Sequence, residues 1–152
     1  IPYNLTGALI RKLLGHPPRP RRLSLVVQKE VAERWTVATG ASLATVAVHV
    51  FADARMVLTI PSSCFEPPPK VDSALVVLDV RPKPAVEVDD FDAFFRFVEA
   101  VFQFRRKQLG GILTRLAQMP AARLRELGID PRRRPQTLSL AEWEGLYRAF
   151  KS

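Results

Sequence analysis

The segment FEPPPKVDSALVVLDV, residues 65–80, holds the strongest structural signal in the sequence. Its second half, residues 71–80, is dominated by branched apolar side chains, a pattern typical of a long buried strand. The three prolines of its first half favour a stiff, extended backbone that holds neighbouring side chains in place at little entropic cost. We therefore expect a central strand entered through an ordered proline-rich loop.

Upstream of this segment, helical and strand patterns alternate. Apolar spacing and turn residues predict helices at 5–14 and 29–38, a buried strand of a parallel sheet at Leu23–Val27 and another strand at 55–60. Residues 42–51 suit either a strand or a helix. The pattern predicts an α/β fold.

Downstream, two prolines within residues 81–85 indicate a boundary, and we expect one domain over residues 1–82 and a second over 83–152. The second domain carries helical periodicity only. Its predicted helices cover residues 91–102, 109–116, 121–127 and 140–150. Ser139 with Glu142 three residues later predicts a capping box for the last helix.

Charge separates the two parts more sharply than composition does. The chain has a formal net charge of +8, with 17 arginines among its 23 basic residues. Residues 96–152 hold 12 basic against 5 acidic side chains, whereas residues 1–95 hold 11 against 10. This asymmetry favours a polyanionic partner for the C-terminal part, with nucleic acid the first candidate.

No apolar run reaches the ~20 residues of a membrane span. A single cysteine and two histidines without ligand spacing predict no metal site and a cytoplasmic protein.

Five motifs together resemble one family over nearly the whole chain. They are IPYN at 1–4, VQKEVAER at 27–34, FEPPPKVDS at 65–73, FQFRRK at 102–107 and GIDP at 128–131. Their order and spacing are similar to those of the rRNA adenine dimethyltransferases, the KsgA and Erm group. The Arg-Arg-Lys and Gly-Ile-Asp-Pro pieces are closer to the KsgA type, which acts on small-subunit rRNA, than to the Erm type, which acts on large-subunit rRNA.

The resemblance implies the fold class: the C-terminal part of a class I (Rossmann-like) methyltransferase sheet, followed by a small all-helical RNA-binding domain. Family members carry the glycine-rich S-adenosylmethionine loop in an N-terminal half that has no counterpart here. We therefore expect a C-terminal fragment of such an enzyme, inactive alone and without a cofactor-binding residue of its own. The strand Leu23–Val27 would lack one neighbour, so we expect self-association through that edge or its coverage by residues 1–14.

The family chemistry implies roles for three residues. An adenine must leave its stack and be held between flat groups, which suits Tyr3 and Phe65, while the carbonyl of Pro2 accepts a hydrogen bond from the exocyclic amine. We expect phosphate contacts from two basic runs, and, if Arg105–Lys107 lie on a helix, one of these three packs or pairs internally. The predicted RNA-binding residues are Lys70, Arg105, Arg106, Lys107, Arg132, Arg133 and Arg134, the last three in a loop where all can reach phosphate.

The resulting hypothesis is an enzyme whose intact form uses S-adenosylmethionine to dimethylate adenine amines in 16S rRNA, with the immature small ribosomal subunit as partner. Two alternatives stay open. One is a non-catalytic rRNA-binding module of ribosome assembly, and the other is part of an Erm-type 23S rRNA methyltransferase.

Overall fold

The computed structural model describes residues 6–37 and 42–152. These residues divide into two compact units, one formed by 6–37 and 47–85 and the other by 42–46 and 86–152. The change from one unit to the other after residue 85 lies within a few residues of the boundary expected after residue 82.

The first unit is an antiparallel three-stranded sheet with helices. In chain order it contains α1 (Thr6–Leu14), β1 (Arg22–Gln28), α2 (Lys29–Trp35), the end of α3 (Leu43–Phe51), β2 (Ala52–Ile60), a 3₁₀ turn (Ser62–Cys64) and β3 (Ser73–Val80). The strand order is β1-β3-β2. The strand predicted at the end of segment 65–80 therefore lies at the centre of the sheet.

Burial along the strands follows this order. Strand β3 is buried at five of its eight residues, including Val76 and Leu78, as its apolar sequence predicts. In β1 only Val27 is buried, and the strand runs antiparallel to β3. The expectation of a buried strand in a parallel sheet is therefore wrong for β1 among the described residues, because this strand lies at an edge and has one strand neighbour. Strand β2 forms the other edge, with a register shift between Met56 and Leu58.

Residues 42–51, which the sequence left open between strand and helix, form helix α3. The Ser42 hydroxyl accepts a hydrogen bond from the backbone N–H of Thr45 at 3.2 Å. This is the bond that an N-terminal cap makes, so local capping favours the helix despite the branched side chains of this segment.

In the second unit, residues 86–152 form a 3₁₀ turn (Pro135–Thr137) and the helices α4 (Phe91–Phe102), α5 (Leu109–Ala117), α6 (Ala121–Glu126) and α7 (Leu140–Lys151). Asp90 caps α4 by accepting from Ala93 N at 3.1 Å. The predicted capping box of α7 is present, with Ser139 accepting from Glu142 N and Glu142 accepting from Ser139 N. Apolar side chains of α4 and α7, among them Phe94, Val98, Trp143 and Leu146, are buried.

Candidate functional site

The predicted base-holding loop follows the 3₁₀ turn of the first unit. The backbone N–H of Phe65 donates to Ser62 O at 3.2 Å, and Phe65 itself is extended, with φ −112° and ψ 152°. Its residue exposure is 37%. A ring held on an ordered backbone and still exposed is what stacking on a base requires, whereas a core aromatic would be buried. Pro2 and Tyr3 lie outside the described residues.

Asp72 ties this loop to the sheet, and sequence reasoning did not single it out. Its carboxylate accepts from the backbone N–H of Ser62 at 2.9 Å, which is the start of the turn that leads to Phe65. Its own carbonyl accepts from Lys29 N at 3.0 Å, at the start of α2. One residue therefore fixes both the loop and the β1–α2 junction. The available signal was its position directly between the proline run and the central strand, where Asp commonly accepts from nearby backbone.

Lys70, the predicted phosphate contact of this unit, is exposed. It lines an open concavity of about 470 Å³ together with Lys29 and Val71. Three carboxylates, Glu30, Glu33 and Asp72, line the same concavity. Its lining therefore carries both signs of charge, with three carboxylates against two lysines.

The first basic run lies in a turn and not on a helix, because α4 ends at Phe102 and residues 103–106 turn back. The condition under which one of Arg105–Lys107 was expected to pack or pair internally, a position on a helix, is therefore not met. We call residues 103–107 the basic turn. Its cations lie near aromatic rings: Arg105 Cζ is 5.9 Å from the centroid of Phe102, and Lys107 Nζ is 5.6 Å from that of Phe104. Arg106 is exposed.

A third cation joins the basic turn from helix α5. Arg115 Cζ lies 5.9 Å from the centroid of Phe104, the ring that also meets Lys107. Aromatic rings attract cations through their quadrupole without neutralising them. The ring of Phe104 therefore holds two positive charges together while both keep their net charge. Sequence reasoning missed Arg115, which is separated from the run by seven residues and the start of α5.

The second basic run follows the Gly-Ile-Asp-Pro motif, and we call residues 130–134 the arginine loop. Arg132 forms a bidentate ion pair with Asp130, with Nε at 3.2 Å from Oδ1 and Nη2 at 3.0 Å from Oδ2. Its side chain is still 81% exposed. Arg134 is exposed.

Arg133 differs from both neighbours. Its two terminal nitrogens donate to Glu142 at 2.6 and 2.9 Å, and Nη2 also donates to the carbonyl of Thr137 at 2.6 Å. The side chain is only 31% exposed. The expectation that all three arginines can reach phosphate therefore does not match the geometry, because Arg133 anchors the loop to the start of α7.

These ion pairs shift the protonation of their acids. Hydrogen bonds from the guanidinium and the backbone N–H of Arg132 lower the pKa of Asp130. The hydrogen bond from Arg133 lowers the pKa of Glu142, and the same bond raises the pKa of Arg133. Both carboxylates therefore stay ionised at neutral pH and keep neutralising their partners.

The start of α5 brings the two basic runs together. The backbone N–H groups of Leu109 and Gly110 donate to the carbonyls of Arg133 and Pro131, each at 2.8 Å. A Cβ at position 110 would lie 3.0 Å from the Cβ of Pro131, so this approach favours glycine. Because Leu109 follows the basic turn by two residues, these bonds bring the backbone of the arginine loop next to the segment that leaves the turn.

A shallow concavity of about 530 Å³ adjoins the arginine loop. Its lining residues are Arg125, Gly128, Ile129, Asp130, Pro131 and Arg132. Gly128 adopts φ +79°, a left-handed conformation that ends α6 and opens this surface. Arg125 is thus a further basic side chain on this surface, without a signal in the sequence beyond its charge.

Other kinds of site are not seen in the described residues. Within residues 6–37 and 42–152, no three His, Cys, Asp or Glu side chains gather in a way that would hold a metal ion. None of the helices there combines the length and apolar character needed to cross a membrane. In the first unit β1 passes directly from Gln28 into α2 at Lys29, with no glycine-rich loop between this strand and this helix.

Comparison with known sequences gives one consistent result. The sequence profile of the family described as ribosomal RNA adenine dimethylase matches residues 1–151. The chain is 40% identical over 158 residues to ribosomal RNA small subunit methyltransferase A of Pelotomaculum thermopropionicum, covering 99% of this chain and 54% of that protein. The protein of the same name from Geobacillus kaustophilus is 38% identical over 162 residues, covering 99% and 55%. The chain spans about half the length of the curated relatives it matches.

Solved structures agree on the fold. A dimethyladenosine transferase from Plasmodium falciparum superposes with a TM-score of 0.78 and 26% identity, covering 99% of this chain and 64% of that one. The 23S rRNA methyltransferase ErmE superposes with a TM-score of 0.63 and 24% identity, covering 100% and 63%; at that identity the likeness concerns the fold alone. The α/β architecture is therefore that of the methyltransferase neighbours, and the chain belongs to the ribosomal RNA adenine dimethylase family.

Proposed function

We propose that this chain supplies the RNA-holding part of an enzyme that dimethylates the exocyclic amines of adenines in small-subunit (16S) rRNA during ribosome assembly in the cytoplasm. The observation that carries the proposal is the joining of the basic turn and the arginine loop by α5. Two separated runs of cations become one surface, as a polyanion of fixed shape requires. The names of the relatives supply the substrate class.

In this proposal the second unit positions the RNA and does not read its sequence. Arg106, Lys107, Arg132 and Arg134 would contact phosphates, which fix the register of the RNA on the protein. Structured RNA is recognised mainly by shape, with the target base splayed out of its stack. The exposed Lys70 would add a phosphate contact beside the base-holding loop.

The first unit would hold the extruded adenine. Phe65 offers a face for stacking, which is worth roughly 1–3 kcal/mol per base. Tyr3 would provide the opposing face and the Pro2 carbonyl would accept from the amine, both proposed from the motif. In the enzyme, S-adenosylmethionine supplies the methyl group. In this proposal residues 6–37 and 42–152 bind the RNA and the target base, and no cofactor contact is assigned to them.

A chimera tests this proposal directly. The chain replaces the matched half of the Pelotomaculum thermopropionicum methyltransferase, and methyl incorporation is measured on immature small subunits and on protein-free 23S rRNA. We expect transfer to the small subunits, abolished by Phe65→Ala and largely kept by Phe65→Tyr, which retains the ring. Transfer only to 23S rRNA would favour the Erm-type reading instead.

The non-catalytic rRNA-binding module of ribosome assembly, left open by the sequence, stays the second candidate. It predicts that the chain binds small-subunit rRNA while the folded chimera transfers no methyl group. Self-association through the edge of β1, or coverage of that edge by residues 1–14, also stays a prediction. Sedimentation of the chain at several concentrations would distinguish the two, because a monomer at all of them would contradict self-association.

A further inference from the structure

A groove crosses the second unit between α4, the end of α5 and the end of α7. Its volume is about 380 Å³, within the ~300–1,000 Å³ typical of pockets that take small ligands. Apart from two alanines of α4, its lining consists of Arg96, Phe97, Leu116, Tyr147, Phe150 and Lys151. None of these residues belongs to the basic turn or the arginine loop.

Aromatic side chains form the apolar part of the groove. The rings of Phe97 and Phe150 stack with centroids 4.9 Å apart and planes at 22°. Phe97 is buried, whereas Phe150 is 45% exposed and Leu116 is 39% exposed. Exposed large apolar side chains grouped in one concavity are more informative than the same residues scattered singly. The outer ring of a stacked aromatic pair is therefore presented to a flat partner.

Charge identifies the kind of partner. Arg96 and Lys151 are the charged residues among those lining the groove, and both are basic. Lys151 Nζ lies 5.5 Å from the ring centroid of Tyr147. An occupant with a flat apolar body and a negative group matches an exposed ring flanked by two cations.

A polar group of the groove wall favours a nucleobase over an aliphatic side chain. Tyr147 is only 2% exposed, and among the described residues its buried hydroxyl has no hydrogen-bond partner. Buried polar groups are ordinarily satisfied. An apolar helix docked here would leave this hydroxyl unpaired, whereas the edge of a base carries donors and acceptors.

We propose that the groove binds one unpaired nucleotide of the RNA, with its base stacked on Phe150 and its phosphate between Arg96 and Lys151. The proposal rests on the proposed function in that RNA is the partner. It adds a second RNA-binding site, one that takes a splayed-out base and not the target adenine. Stacking is tolerant of sequence because every base has a π-face.

The test uses the 152-residue chain and a hexaadenylate RNA containing one 2-aminopurine, whose fluorescence falls on stacking. A fully paired RNA duplex serves as the second probe. Phe150→Leu keeps an apolar side chain and removes the ring, and Arg96→Glu tests the charge separately. We expect Phe150→Leu to weaken hexaadenylate binding by about fivefold or more and to remove the fluorescence change. Duplex binding should be unaffected, and circular dichroism melting checks that the variant is folded.

The control variant Arg106→Glu separates this proposal from the proposed function. If Arg106→Glu weakens duplex binding while Phe150→Leu and Arg96→Glu leave hexaadenylate binding unchanged, the groove proposal is overturned and RNA binding by the basic turn stands. If the chain binds neither RNA, the proposed function fails and the groove proposal with it. If Phe150→Leu changes only self-association, the groove is a protein interface and the proposal is wrong.

Discussion

The basic turn and the arginine loop are close in composition and different in chemistry. At the turn, Lys107 lies near the ring of Phe104, which Arg115 of α5 also approaches. In the loop, Arg132 and Arg133 are held by Asp130 and Glu142. Rings leave a cation its full charge, whereas a carboxylate cancels it. The number of arginines therefore overstates what the loop offers to phosphate, and the turn should dominate RNA binding.

The strongest expected effect comes from reversing charge in the turn. We expect the double variant Arg106→Glu/Lys107→Glu to reduce the affinity of the chain for 16S rRNA more than any other pair of substitutions proposed here. The slope of log K against log salt should flatten by roughly 0.7–0.9 unit for each phosphate that the variant no longer binds. Filter binding between 50 and 200 mM salt measures both. The matched control, Lys12→Glu/Arg21→Glu, makes the same change in net charge at exposed positions of the first unit, and an equal reduction there would contradict the assignment.

The next effect concerns stability, because the arginine loop is anchored by Arg133. Glu142→Gln should lower the free energy of unfolding by about 1.5–3 kcal/mol, the range for hydrogen bonds to charged groups. The pKa of Glu142 is lowered in the folded state, so its contribution is present above its unfolded pKa and is lost as pH falls through the lower folded value. Urea unfolding at neutral and acidic pH would show the difference between the two proteins shrinking in acid. A constant difference would argue against the ion pair.

A smaller effect is expected in the loop that contains Phe65. Asp72→Ala removes the acceptor for the Ser62 N–H and should lower the free energy of unfolding by about 1 kcal/mol, as removal of a capping acceptor does. Asp72→Asn keeps an acceptor and should retain most of that stability. Thermal melts of both variants measure it. Equal destabilisation by the two variants would show that charge, and not the hydrogen bond, is what Asp72 supplies.

The smallest effect is expected from a substitution that removes a neutralising carboxylate from the arginine loop. Asp130→Asn keeps an oxygen that accepts from Arg132 N and removes the charge that neutralises the Arg132 guanidinium. We expect RNA affinity to rise a few-fold, with a slightly steeper salt slope. Unchanged binding by Asp130→Asn would place Arg132 outside the RNA interface.

Sequence patterns predicted the elements whose determinants are local. The stripe of residues 91–102 and the capping box of Ser139 and Glu142 are short-range signals, and both appear as expected. The predicted helix 91–102 also ends where α4 ends, at Phe102, which leaves Arg105–Lys107 in the turn that follows. The limited burial of β1 depends on which strands flank it, which the strand sequence itself does not encode.

The sequence predicted which types of residue form the site, but not which residues pair with one another. Basic runs are visible in the sequence, but the acid that neutralises Arg133 lies nine residues away on α7. The approach of Pro131 to Gly110, which joins the two runs, is a contact between segments 21 residues apart. Such pairings are decided by tertiary packing, so sequence alone could not distinguish the anchored arginine from its exposed neighbours.

We infer that the exposure and the ion pairing of each cation, not the number of arginines, decide which cations contact RNA. A direct comparison of Arg134→Ala with Arg133→Ala tests this inference, by the salt slope of 16S rRNA binding and the unfolding free energy of each variant. We expect Arg134→Ala to flatten the slope by roughly 0.7–0.9 unit at unchanged stability, and Arg133→Ala to lower stability and leave the slope unchanged. Equal flattening by the two variants would contradict the inference.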